Sequence, residues 1–141
     1  MRLLLLCVGK VREAHWRAAV DDYLERLGHY LPVKMVEARD PDAALRALPE
    51  RYLLCALDER GAEWTTVELR RFVEREMGQG RAGLAFLLGG AAGLPPAVRQ
   101  RAGVALSLSR LTLPHRLARV VLLEQLYRVM TMIRGEPYHR E

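Results

Sequence analysis

Residues 107–134, SLSRLTLPHRLARVVLLEQLYRVMTMIR, decide how the rest of the chain is read. The stretch begins as the end of a short apolar strand, turns through a Ser/Thr/Pro segment and becomes the longest helical pattern in the sequence. Apolar residues recur at Leu117, Val120, Val121, Leu123, Leu126, Tyr127, Met130 and Ile133, the spacing of a helix with a broad buried face. A face of that width needs a covering surface. Pro114 stands at the helix entrance, where its missing N–H costs nothing, and Gly135 follows the last apolar turn as a stop. The remaining tail, residues 136–141, is short, polar and aromatic and is expected to lie outside the core.

Working back from that helix, apolar strands and amphipathic helices alternate. Strands are expected at residues 2–8, 33–38, 51–57, 84–88 and 104–108. Helices are expected at about 13–27, 41–48, 65–77, 96–101 and over the long stretch above. Asp40 before Pro41 reads as an N-cap, and Thr65 with Glu68 as a capping box. Asp58-Glu59-Arg60-Gly61 reads as a polar turn ending the third strand. The strands are apolar throughout rather than at every second residue, which predicts an α/β fold: a parallel sheet with helices on both faces in a single domain over residues 1–141. No repeat, low-complexity segment or linker interrupts it.

Half of the 141 residues are apolar, enough for a core. The longest apolar runs fall far short of the roughly 20 residues of a membrane span, and the apolar run at the N-terminus is shorter than a signal-peptide core of about 7–15. A cytoplasmic protein without membrane contact is expected. Cys7 and Cys55 each sit in an apolar run, as small buried hydrophobes do, and no CxxC or HxxxH spacing marks a metal site. The net charge is +5, and 20 of the 22 basic residues are Arg. Arg pairs bidentately with phosphate, which points toward nucleic acid, although a compositional bias of the genome produces the same excess.

In open α/β sheets ligands bind beyond the carboxyl ends of the strands, so the loops after Leu57, Leu88 and Leu108 are the candidate site. Residues 89–93, GGAAG, match neither GxGxxG nor GxxxxGK[ST]. Glycines there serve either a tight turn or the close approach of a ligand. Residues 109–114 offer hydroxyls and backbone groups suited to an adenine edge, or simply cap a helix. His115 at the positive end of the long helix should favour its neutral form. Glu124 falls among apolar positions of the same helix, either paired or facing a site. Tyr138, His139 and Arg140 join a stacking ring, a titratable group and a phosphate-binding group, useful for a nucleotide if the tail is held and idle if it frays.

Three separated segments carry a family resemblance: LLGGAAGL at 87–94, SLSRLTLPHRLARVVLLEQLYR at 107–128 and PYHRE at 137–141. They resemble the bacterial 23S rRNA (pseudouridine-N3)-methyltransferase family of the SPOUT superfamily, and LDERGAEW at 57–64 is similar to the family's third-strand signature. The resemblance covers essentially the whole chain. It implies a C-terminal trefoil knot, which general topology rules exclude, and a homodimer packed through the C-terminal helix. It implies S-adenosylmethionine as methyl donor, without a metal, held by Leu57, Gly90, Ser109, Arg110, Leu111, Thr112, Leu113 and Pro114. The implied acceptor is N3 of a pseudouridine in 23S rRNA within assembled ribosomes. His139 would assist loss of the N3 proton, Tyr138 and Arg140 would hold the nucleotide and His115 would support the site.

This chain departs from many relatives in two places. Ala91-Ala92 stand where Pro-Glu is common, so a carboxylate is missing there, and residues 39–50 are shorter than the Lys-rich segment found elsewhere. Two rivals remain: a SPOUT methyltransferase acting on transfer RNA, and a non-catalytic RNA- or ribosome-binding protein that keeps the fold.

Overall fold

The computed structural model describes residues 1–140, with the backbone alone for His139 and Arg140. The chain runs β1 (Arg2–Val8), α1 (Ala14–Gly28), β2 (Val33–Ala38), α2 (Pro41–Leu45), β3 (Tyr52–Glu63), α3 (Thr66–Gly78), β4 (Gly83–Leu88), α4 (Pro96–Arg101), β5 (Val104–Ser107) and α5 (His115–Ile133), followed by a 3-10 turn at Pro137–Arg140. The five strands form one sheet in the order β2-β1-β4-β3-β5, and every paired neighbour is parallel. Central β4 is buried at every position, which is why its sequence is an unbroken apolar run.

Alternate strand residues feed two cores. Leu3, Leu5, Leu84, Phe86 and Leu88 pack beneath α1, α3 and α5, against Val20, Leu27, Phe72, Leu123 and Leu126. Leu4, Leu6, Leu54, Ala85 and Leu87 face the other way, under Ala44 and Leu45 of α2 and Val98 of α4. The caps form as their sequences require: Asp40 accepts from the Ala43 amide at 2.8 Å and Thr65 from that of Glu68 at 3.2 Å. Cys7 and Cys55 are free and fully buried; burial pushes the first thiol up to about 11 and the second to about 12.

Two expectations need correction. The third strand does not end at Leu57. Leu57 and Ala62 both pair with Leu106, with residues 58–61 looped out between them, so β3 resumes beyond the polar segment. Gly61 allows this, because a Cβ there would stand 2.6 Å from the backbone of Ala105 and Leu106. Turn-forming residue types signalled a chain reversal, whereas the contact with β5 imposes a bulge. The buried stripe of α5 is also rotated: Leu122 and Val129 are fully buried, while Leu117 and Val121 are only half-buried. No described helix is long and apolar enough to cross a membrane.

Candidate active site

The carboxyl ends of β3, β4 and β5 open into one cavity of about 690 Å³. Its walls come from three loops: residues 57–60 after the paired part of β3, residues 88–94 after β4, and residues 107–109 and 111–114 after β5, with His115 and Ala118 from the first turn of α5. Parallel strands deliver all three loops to the same end of the sheet, so residues 50 positions apart in sequence become neighbours.

Backbone builds most of this wall. In the glycine loop Gly93 takes φ +74° and its amide donates to the Gly90 carbonyl at 3.0 Å. A Cβ on Gly89 would stand 2.7 Å from the Gly93 carbonyl carbon. The loop's own folding therefore demands glycine at 89 and 93, and its backbone also faces the cavity. In the loop after β5 the serines hold the turn: the Leu111 amide donates to Ser109 Oγ at 2.8 Å, and Ser107 Oγ donates to the Ser109 carbonyl at 3.0 Å. Pro114 caps α5 with no side-chain hydrogen bond, so the helix presents its first amides near the cavity.

His115 titrates below its usual value, first because it is partly buried, then because Arg116 and Arg119 repel its cation; Glu13 opposes them weakly. Burial and the two guanidiniums favour the neutral imidazole, the form that the positive end of a helix favours as well. Asp58, which residue types alone marked as part of a turn, lines the cavity with its carboxylate nearly enclosed. It lies 2.8 Å from Arg99 Nε of α4 and accepts from the Arg60 amide at 2.9 Å. The signal for it was its place directly after the apolar run of the third strand.

Leu57, Gly90, Ser109, Leu111, Thr112, Leu113, Pro114 and His115 all line the cavity. Arg110 does not; its exposed side chain sits 3.5 Å from the Glu63 carboxylate. Tyr138 lies on the flank of α5, where its hydroxyl donates to Glu124 Oε2 at 2.9 Å and its ring meets Tyr127 edge-on at 4.8 Å. Glu124 is also the partner of Arg128 at 2.8 Å, and that guanidinium covers the Tyr138 ring at 4.9 Å. Tyr138 thus docks roughly 14–18 Å along the helix from His115 of the same chain, given a rise of about 1.5 Å per residue between His115 and the contacts at Glu124 and Tyr127. The side chains of His139 and Arg140 lie outside the described residues. Among those residues no group of three or more His, Cys, Asp or Glu is arranged to hold a metal ion.

A second feature was invisible in the sequence. Arg119 of α5, 2% exposed, donates to Glu37 Oε2 of β2 at 2.8 Å and to the Gly9 carbonyl at 3.2 Å. Arg17 of α1 takes the other Glu37 oxygen at 2.7 Å. Burial alone would raise the Glu37 pKa, but hydrogen bonds from Arg17, the Val11 amide and Arg119 bring it below the usual value.

A family model described as "Predicted SPOUT methyltransferase" matches residues 1–139. The chain is similar to "Ribosomal RNA large subunit methyltransferase H" of Anaeromyxobacter sp. (strain Fw109-5), with 46% identity covering 99% of this chain and 100% of the relative. The protein of the same description from Geobacter sp. (strain M21) is 42% identical and matched over 100% of both chains. Among solved structures, a probable methylase family protein from Haemophilus influenzae Rd KW20 shares the fold, with a TM-score of 0.61 at 10% identity, over 97% of this chain and 68% of that one.

Proposed function

This chain belongs to the SPOUT methyltransferase family, and on that premise we propose that it methylates N3 of a pseudouridine in 23S rRNA, with S-adenosylmethionine as the donor. The acceptor lies in the large-subunit hairpin near the decoding centre of assembled ribosomes, in the cytoplasm, and the whole chain acts as one domain. The observation that carries the reading is the convergence of Leu57, Gly90 and residues 111–114 on one cavity. The relatives described as ribosomal RNA large subunit methyltransferases match over their full length, which supports an rRNA acceptor.

The cavity fits the donor. Its volume of about 690 Å³ lies within the range of small-molecule sites, roughly 300–1,000 Å³. Backbone from Ser109, residues 111–114 and Gly90 suits the adenine edge, Leu57 offers an apolar surface, and Glu59 is a wall carboxylate of the sign a sulfonium and an ammonium require, whereas Asp58 is already paired with Arg99. When bound, S-adenosylmethionine supplies an electrophilic methyl group. The chain's own work is to hold the nucleotide in line, exclude water and take the imide proton from N3. His139 removes that proton, Arg140 and Tyr138 hold the nucleotide, and neutral His115 supports the site without adding a cation beside the sulfonium. A His139→Ala variant should lose rate most severely at low pH; an intact rate there overturns the base assignment.

Two further features belong to this reading. The C-terminal part passes through a loop as a trefoil knot, a reading that the match to the SPOUT family model supports. Two copies pair through α5, supported by half-buried Leu117 and Val121 and by Leu111, 77% exposed beside the cavity. Pairing also brings a tail to each cavity from the partner, since Tyr138 docks away from the cavity of its own chain. The test is methyl incorporation from labelled S-adenosylmethionine into ribosomes lacking the modification, with naked rRNA and transfer RNA alongside. Label recovered as 3-methylpseudouridine from ribosomes alone is the expected result. Label in transfer RNA moves the acceptor, and bound donor without label leaves an RNA-binding protein.

A further inference from the structure

The five residues joining β1 to α1, residues 9–13, have no part in the reaction as proposed so far. They form a strap that charged side chains fasten at four points. The Gly9 carbonyl accepts from Arg119 at 3.2 Å, the Val11 amide donates to Glu37 at 2.8 Å, the Val11 carbonyl accepts from Arg17 at 2.9 Å, and the Glu13 carboxylate meets Arg116 Nε at 2.7 Å. Both ends of the strap adjoin the cavity wall. At one end a Cβ on Gly90 would stand 3.4 Å from the Val8 carbonyl oxygen, and at the other Arg116 follows His115 directly.

Arg119 is a costly way to anchor a helix. Enclosing a guanidinium carries a desolvation penalty that a packed apolar side chain avoids, and its Nε finds no hydrogen-bond partner among the described residues. What it adds is direction, because it ties a carbonyl of the strap to the helix whose first turn lines the cavity. The two untied strap residues, Lys10 and Arg12, are both exposed cations. With Arg17, Arg116 and Arg119 behind them, the strap and its anchors hold five cations against the two carboxylates Glu13 and Glu37. An excess of that sign beside a cavity attracts phosphate.

We propose that residues 9–13 are the acceptor-RNA contact of the site: Lys10 and Arg12 bind backbone phosphates at the cavity rim, and Arg119 is the positioning residue that fixes the strap. This deepens the methyltransferase reading and rests on it. The unaltered protein is therefore assayed first, since absence of methyl transfer to ribosomes defeats that reading without reference to the strap. In the active protein, Lys10→Ala with Arg12→Ala should raise KM for ribosomes roughly tenfold, the effect of losing about two phosphate contacts, and lower the salt slope of ribosome binding by about two. The kcat and the donor Kd should not change. Arg2→Ala with Arg51→Ala, at the opposite end of the sheet, should leave KM as it is. Arg119→Lys, with its fold checked by circular dichroism, should raise the ribosome KM and spare the donor Kd. An unchanged KM and salt slope in the Lys10/Arg12 variant, or an equal rise in the Arg2/Arg51 control, overturns the proposal. If Arg119→Lys fails to fold, the exposed pair decides; if it folds and loses donor binding as well, the positioning role is overturned.

Discussion

The cavity wall and the strap beside it are built by different physics. On the β3–β4–β5 side the wall is backbone: glycines 89 and 93 folded on each other, a bulge packed through Gly61, and a serine-held turn before α5. On the β1–β2 side a strap is held by charge, with one carboxylate, Glu37, receiving two guanidiniums and an amide. The first has the shape and polarity to hold a small neutral-to-cationic ligand. The second keeps positive charge near a surface that a polyanion can reach.

The same division explains what the sequence disclosed. Glycine, proline and serine act locally, so the loops after β3, β4 and β5 and the neutral His115 could be read from residue types and strand order. The Glu37 node joins residues 82 and 20 positions apart, and the Gly9 tie spans 110. Nothing in the spacing of Arg17, Glu37 and Arg119 predicts their meeting. By residue type alone Arg119 is one more cation on a helix. The bulge at residues 58–61 escaped for a related reason, since its cause is the β5 backbone rather than its own polar residues. Tyr138 lies outside both cores, as the tail's composition suggested, but its docking on Glu124 and Tyr127 is a contact that no helical period encodes.

The contrast can be broken by substitution, and the largest effect belongs to the charged side. Arg119→Met strips Glu37 of a buried partner and should cost about 3–5 kcal/mol in urea unfolding; a cost below about 1 kcal/mol would mean that the clamp is ornamental. On the backbone side, Gly61→Ala should cost about 2–3 kcal/mol by forcing β3 and β5 apart. Unchanged stability there would show that the bulge relaxes freely. Tyr138→Phe removes one hydrogen bond to Glu124 and should cost about 1 kcal/mol. Burial and the hydrogen bonds to Tyr23 and Glu124 push that phenol's pKa up, so the bond should persist into mildly alkaline solution.

The smallest effect is in pH. His115 titrates below 6.5 in the fold, so its neutral form contributes stability that is complete above pH 6.5 and is lost as pH falls through that value toward the folded pKa. Glu37 titrates below 4.5, so its contribution is complete above pH 4.5 and is lost on further acidification. Acid unfolding should therefore show a shallow loss beginning near pH 6.5, absent in His115→Asn, ahead of a steeper one below pH 4.5. Identical profiles for the two proteins would remove His115 from the account.

Isothermal titration of S-adenosylmethionine into the unaltered protein, Gly89→Ala and Lys10→Ala/Arg12→Ala bears most directly on a donor side made of backbone and an acceptor side made of charge. Binding to the unaltered chain and to the Lys10/Arg12 variant with the same Kd, and its loss in Gly89→Ala, is the predicted result. No binding to the unaltered protein, or undiminished binding to Gly89→Ala, would contradict it.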